Sequence, residues 1–123
     1  MNTKPRVLLV DDNVGMLETL SDIISTSGID VDTAPDGARA LALMEKNAYD
    51  IAVFDIVLPD IDGVDLVRRT QPRYPNTKFV IITAYTNSEL TDRARAEPVS
   101  EILFKPIEPS RLIQVLRRLA SGA

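Results

Sequence analysis

The sequence predicts an α/β fold, a parallel sheet packed by helices on both faces, and three observations carry that prediction. The first is a set of short continuous apolar runs, Arg6–Val10, Ile51–Phe54 and Lys78–Ile82. Runs of this length read as strands buried on both faces. The second is regular alternation: strand and helix patterns follow each other five times with short connections, which implies a parallel sheet with right-handed crossovers. The third is size. The chain has 123 residues, enough for one domain with a real core and too few for two, so residues 1–123 are expected to form a single domain.

Taken in order, residues 6–10 form the first strand. Met16, Leu17, Leu20, Ile23 and Ile24 then recur at helical spacing from Val14 to about Ser27. Asp12 or Asn13 can cap that helix and Gly28 can end it. From Ile29 to Ala34, Ile29, Val31 and Thr33 alternate with Asp30 and Asp32, which predicts an edge strand with one wetter face. Pro35-Asp36-Gly37 is turn chemistry. The helix after it is expected to bury Ala38, Leu41, Ala42 and Met44 and to end near Asn47.

The third strand, 51–54, runs into Asp55. Residues 59–63 form a loop, in which Asp60 and Asp62 read as loop and cap residues. A helix from Val64 to about Arg73 turns Val64, Leu66 and Val67 inward and is ended by Pro72 and Pro75. Strand 78–82 closes on Thr83-Ala84. A short, highly charged helix covers Asn87 to Ala96, and Pro98 stops it. Glu101–Phe104 is the fifth strand, leading into Lys105-Pro106. Pro109 opens a last helix with Leu112, Val115, Leu116 and Leu119 as its apolar stripe. Met1 stands five residues before the first strand, which reads as a natural N-terminus.

Composition excludes several functions. The chain has no Cys and no His, so disulfides, thiolate or His metal sites and His-based triads are excluded. The formal net charge is -4, which argues against a direct nucleic-acid contact by this domain. No apolar run is long enough to cross a bilayer, and no signal-peptide core follows Met1; the expected setting is cytoplasmic, without a membrane partner.

The chemistry concentrates at strand ends. Ligands of open α/β sheets bind outside the carboxyl ends of the strands. Two apolar strands here end in acids, Asp11-Asp12 and Asp55. If those strands are neighbours, their carboxylates crowd together, at a cost that calls for a bound cation. Thr83 and Lys105 stand at the ends of two further strands.

In this pattern the chain resembles the response-regulator receiver domains of two-component signalling. The resemblance rests on Val10-Asp11-Asp12, on Asp55 with Pro59 and Gly63 behind it, on Thr83-Ala84, and on Lys105-Pro106. It covers essentially the whole chain. It implies a doubly wound sheet of order 2-1-3-4-5 with the ligand site at the junction of strands 1 and 3. It implies that Asp55 accepts a phosphoryl group from a sensor histidine kinase or phosphotransfer protein. Asp12 and Asp55, Asp11 through water, and the backbone carbonyl of Val57 would hold Mg2+ or Mn2+. Thr83 and Ala84 would meet the phosphoryl group and form the switch, Lys105 would neutralise a phosphoryl oxygen, and Lys105-Pro106 would be a cis peptide.

A homodimer through the fourth helix, fifth strand and fifth helix is also implied. That face carries Glu89, Asp92, Arg93, Arg95, Arg111, Arg117 and Arg118. The chain departs from the family at Ile102, where the family has an aromatic switch residue, at Pro98-Val99 in place of Gly-Ala, and at Val57 and Tyr85, which flank the phosphoryl site. With Ile102 unable to report, movement is expected in the loop 84–87 and the start of the fourth helix.

Two competitors share parts of this pattern. A hydrolase of the haloacid dehalogenase type also uses a strand-end Asp and Mg2+, but it needs a second acid where Val57 stands. A Rossmann or P-loop fragment needs a glycine-rich phosphate loop after the first strand, and this chain has Asp11-Asp12-Asn13-Val14-Gly15. The reading that follows is a phosphoryl-accepting switch rather than a turnover enzyme.

Overall fold

A computed structural model of the chain describes residues 4–84 and 89–122. Five strands alternate with five helices: β1 (Arg6–Val10), α1 (Val14–Ser25), β2 (Asp30–Ala34), α2 (Gly37–Lys46), β3 (Ile51–Asp55), α3 (Gly63–Thr70), β4 (Lys78–Thr83), α4 (Glu89–Arg95), β5 (Glu101–Phe104) and α5 (Pro109–Ala120). The strands are all parallel, in the order β2-β1-β3-β4-β5. The doubly wound 2-1-3-4-5 sheet is therefore observed.

Alternation along each strand sends side chains to two separate cores. Leu8, Val10, Ala52, Phe54, Phe79 and Ile81 face α2, α3 and α4, where Phe54 and Phe79 pack with ring centroids 5.7 Å apart. Val7, Leu9, Ile51, Val53, Val80 and Ile82 face the stripe of α1 and the expected Leu112, Val115, Leu116 and Leu119 stripe of α5. Burial on both faces explains why β1, β3 and β4 read as unbroken apolar runs. Among the described residues no helix is long and apolar enough to cross a membrane.

Several expectations shift locally. In β2, which begins at Asp30, Ile29 is buried but Thr33 is exposed. Asp32 is drawn into a polar cluster instead: it accepts from the Tyr49 hydroxyl at 2.6 Å and pairs with Arg6 at 3.1 Å. In α2 the buried residues are Gly37, Ala40 and Met44, with Leu41 partly covered; Ala38 and Ala42 face solvent. The segment 38–44 is apolar at six of seven positions, so its sequence leaves the phase of the helix open. The helices α1 and α3 end in turns earlier than expected, at Ser25 and Thr70. For α4 the expected start at Asn87 and the loop residues Tyr85 and Thr86 lie outside the described residues.

Caps fix where the helices begin. Asn13 accepts from Met16 N, Asp36 from Arg39 N and Asp62 from Asp65 N, each satisfying an otherwise unpaired first-turn amide. Asp60 does this at long range: its two oxygens accept from Gly37 N and Ala38 N, both at 2.9 Å. These bonds, led by that from Gly37, hold the Asp60 carboxyl below the usual carboxylate range. They also pin the loop after β3 to the start of α2.

Candidate functional site

The site lies where the sheet order reverses, at the carboxyl ends of β1 and β3. The chain leaves β1 at Val10, registered with Phe54 of β3, so Asp11 and Asp55 come from adjacent strand ends. Both are buried, at 0% and 5% exposure. Asp12 beside them is exposed. One carboxylate oxygen from each of Asp11, Asp12 and Asp55 lies within 4.8 Å of the others.

Each acid is oriented by the backbone next to it. Asp11 Oδ1 accepts from Asn13 N at 2.9 Å, which ties the acid to the first turn of α1. Asp55 Oδ1 accepts from Val57 N at 3.2 Å, and its backbone carbonyl packs under Gly63. A β-carbon added at Gly63 would stand 2.3 Å from that carbonyl oxygen. The glycine is there to let the start of α3 approach the acid-bearing strand.

Lys105 crosses from β5 to complete the cluster. Its ammonium lies 2.7 Å from Asp11 Oδ2 and 2.9 Å from Asp55 Oδ2. It thus supplies part of the positive charge that the crowded acids call for. Its strand end is anchored by Lys105 N donating to Thr83 O at 2.8 Å, and the Lys105–Pro106 peptide is cis. Burial pulls the ammonium's pKa down, but its contacts with the two carboxylates outweigh that and raise it. Burial pushes the Asp55 carboxyl above its ordinary value, against the lowering effect of the bonds from Lys105 and Val57. Asp55 is therefore a largely desolvated, oriented carboxyl group beside a cation.

The other expected residues lie on or just past β4, on β5 and in the loop after β3. Thr83 is buried at the end of β4, and Ala84 after it is exposed. Ile102 is half-buried against the α3–α4 side of the core. The Val57 side chain is 44% exposed, one of the few large apolar groups at the surface. Sequence reasoning missed two features: the Lys105 ammonium lodged between two acids, and Asp60 capping a helix 23 residues away. No local signal marks the second.

The acid cluster fits a hard divalent cation. Asp11 Oδ2 is buried and faces the Lys105 ammonium at 2.7 Å, an ion pair rather than a well-aimed hydrogen bond, so this oxygen already sits against a cation. The 4.8 Å spread of the three oxygens is close to the roughly 4 Å that separates opposite ligands of a magnesium ion. Exposed Asp12 leaves room for the waters such an ion keeps.

Comparison with known proteins agrees with this geometry. The family model described as the response regulator receiver domain matches residues 7–117. The chain is 29% identical over 116 residues to the chemotaxis protein CheY of Thermotoga maritima, covering 94% of this chain and 97% of that protein. It is 33% identical to the transcriptional regulatory protein TrcR of Mycobacterium tuberculosis over 93% of this chain, but spans 44% of that regulator's length. Among solved structures, the CheY-like receiver domain protein of Methanospirillum hungatei JF-1 superposes with a TM-score of 0.92 at 26% identity, covering 98% of this chain and 96% of that one.

Proposed function

The chain belongs to the response regulator receiver domain family, and from that premise we propose that it is a phosphoryl-accepting signalling switch with Asp55 as the acceptor. The observation that carries the reading is the convergence of Asp11, Asp12 and Asp55 with the Lys105 ammonium at one end of the sheet. The donor is a phosphohistidine on a sensor histidine kinase or phosphotransfer protein. An Asp55 carboxylate oxygen attacks phosphorus, a P–O bond forms, the P–N bond breaks, and the leaving imidazole takes a proton. The product is an acyl phosphate.

Asp12 and Asp55, Asp11 through water, and the Val57 carbonyl would hold Mg2+ or Mn2+. When bound, the ion neutralises charge on the phosphoryl oxygens. Lys105 can release its carboxylate contacts and follow the phosphoryl group as a point charge. Thr83, with Ala84 beside it, offers a hydroxyl donor. The hydrolase reading is not favoured: two residues past Asp55 stands Val57, an alkyl side chain with no proton to give.

In this reading the chain regulates an output from the cytoplasm and turns over no substrate of its own. Activation shifts the segment from Ala84 into α4 while Ile102, β-branched and stiff, keeps one rotamer. The activated form pairs with a second copy through α4, β5 and α5.

The test is intact-mass analysis after incubation with acetyl phosphate. The expected outcome is one phosphoryl group, gained with Mg2+ and lost on chelation, and none on Asp55→Asn, whose amide cannot form an acyl phosphate. Full labelling of Asp55→Asn would move the acceptor elsewhere.

A further inference from the structure

The helix α4 is poorly anchored by apolar contact. Its apolar contacts are Ala94, which is buried, and Leu90, which is partly buried against the core; the other buried residue is Thr91. Charge supplies what packing does not. The two terminal nitrogens of Arg93 reach separate carboxylates of α3, Asp62 Oδ2 at 3.3 Å and Asp65 Oδ1 at 3.2 Å. Just past α4, Glu97 accepts from Arg68 Nε of α3 at 2.8 Å.

Asp62 is no ordinary surface acid. Its other oxygen caps α3 by accepting from Asp65 N at 2.8 Å. Its backbone pairs with Val57 in an isolated antiparallel bridge, and the next residue, Gly63, donates from N to Ile56 O at 2.7 Å. The loop that leaves the acceptor at Asp55 is therefore closed at Asp62, and α4 holds the closure through Arg93.

We propose that Arg93 is a positioning residue that fastens α4 to the closed loop beyond Asp55, so that α4 senses this loop by a route separate from Thr83. The inference rests on the proposed roles of Asp55 and Val57. A change of position at Val57 is transmitted to Asp62 by the bridge, and from Asp62 to α4 by the guanidinium.

The experiment is an Mg2+ titration of the full chain by NMR, with amide hydrogen exchange measured along α4, in the unsubstituted protein, Arg93→Met, Arg93→Lys and Thr83→Ala. Mg2+ is expected to slow exchange in α4 of the unsubstituted protein. In Arg93→Met, metal-free exchange should be about two- to fivefold faster, the scale of two partly exposed ion pairs, and the response to Mg2+ should vanish. Coupling is reciprocal, so the Kd for Mg2+ should rise by the factor by which Mg2+ slows α4 exchange in the unsubstituted protein. Arg93→Lys should recover part of both effects, and Thr83→Ala should keep both.

Two results in the variant overturn the inference alone: an Arg93→Met protein whose α4 answers Mg2+ as before, or one whose α4 exchanges faster at unchanged Mg2+ affinity, which makes Arg93 a mere prop. An unsubstituted protein that binds Mg2+ with α4 unmoved also overturns it. Absence of Mg2+ binding near Asp12 and Asp55 overturns the proposed function, and this inference with it.

Discussion

At Asp55 the requirements of stability and reactivity oppose each other. Its carboxyl is raised above the ordinary value because burial strips it of water. Between the ordinary carboxylate range and the raised value, the folded chain keeps a proton that the unfolded chain has released. Stability from this group therefore falls as pH rises through that window. Asp55→Asn removes the titration while an amide oxygen can still accept from Val57 N. Thermal unfolding in chelator is expected to show this variant gaining stability over the unsubstituted protein as pH is raised from about 4 to 7.5; a gain that shrank with pH would contradict the burial argument. The acids of this site were legible in the sequence because strand ends announce themselves. The partition of Lys105 between Asp11 and Asp55 was not: sequence gives the charge, and only the fold gives the reach across three strands.

At the scale of elements, Gly63 decides how closely α3 meets β3. A methyl group there meets backbone, not a side chain that can swing away. Gly63→Ala is expected to lower stability by about 1–3 kcal/mol and to slow phosphoryl gain on Asp55, as measured by denaturant unfolding and timed intact mass. Edge strand β2 depends on a different device. Tyr49 donates to Asp32 at 2.6 Å while the Arg6 guanidinium lies 5.4 Å from the Tyr49 ring centre. Tyr49→Phe should cost about 1.5–3 kcal/mol, the worth of a hydrogen bond to a charged acceptor; an unchanged denaturation midpoint would remove Tyr49 from the anchoring of this edge. The sequence showed β2 as an edge but took Asp32 for a solvated residue. Its partners lie 17 and 26 positions away, beyond any local pattern. The α5 stripe, by contrast, was readable in full, because its four apolar positions leave a single phase.

For the molecule as a whole, the sheet divides the apolar residues into two cores, and the site sits on the rim between them. The face made by α4, β5 and α5 mixes charges: Glu101 pairs with Arg118 and lies 4.0 Å from Arg111, while Phe104 stands 38% exposed among them. Such a surface can pair with itself through opposite charges around an apolar centre. Sedimentation with Mg2+ and beryllofluoride is expected to show a dimer that Phe104→Ser and Arg111→Glu weaken. A monomer at high concentration would remove the dimer. Alternation of strands and helices gave the architecture away; which charged face meets a partner depends on spatial neighbours that no periodicity reports.

The span of the Lys105 contacts has a consequence in time. This ammonium joins residues 94 and 50 positions earlier in the chain. During synthesis, β1 and β3 emerge with their acids long before β5 does, and such distant contacts form late. A nascent chain thus carries the buried acids before it carries the charge that steadies them. The last strand to dock completes both the sheet and the charge pairing of Asp11 and Asp55.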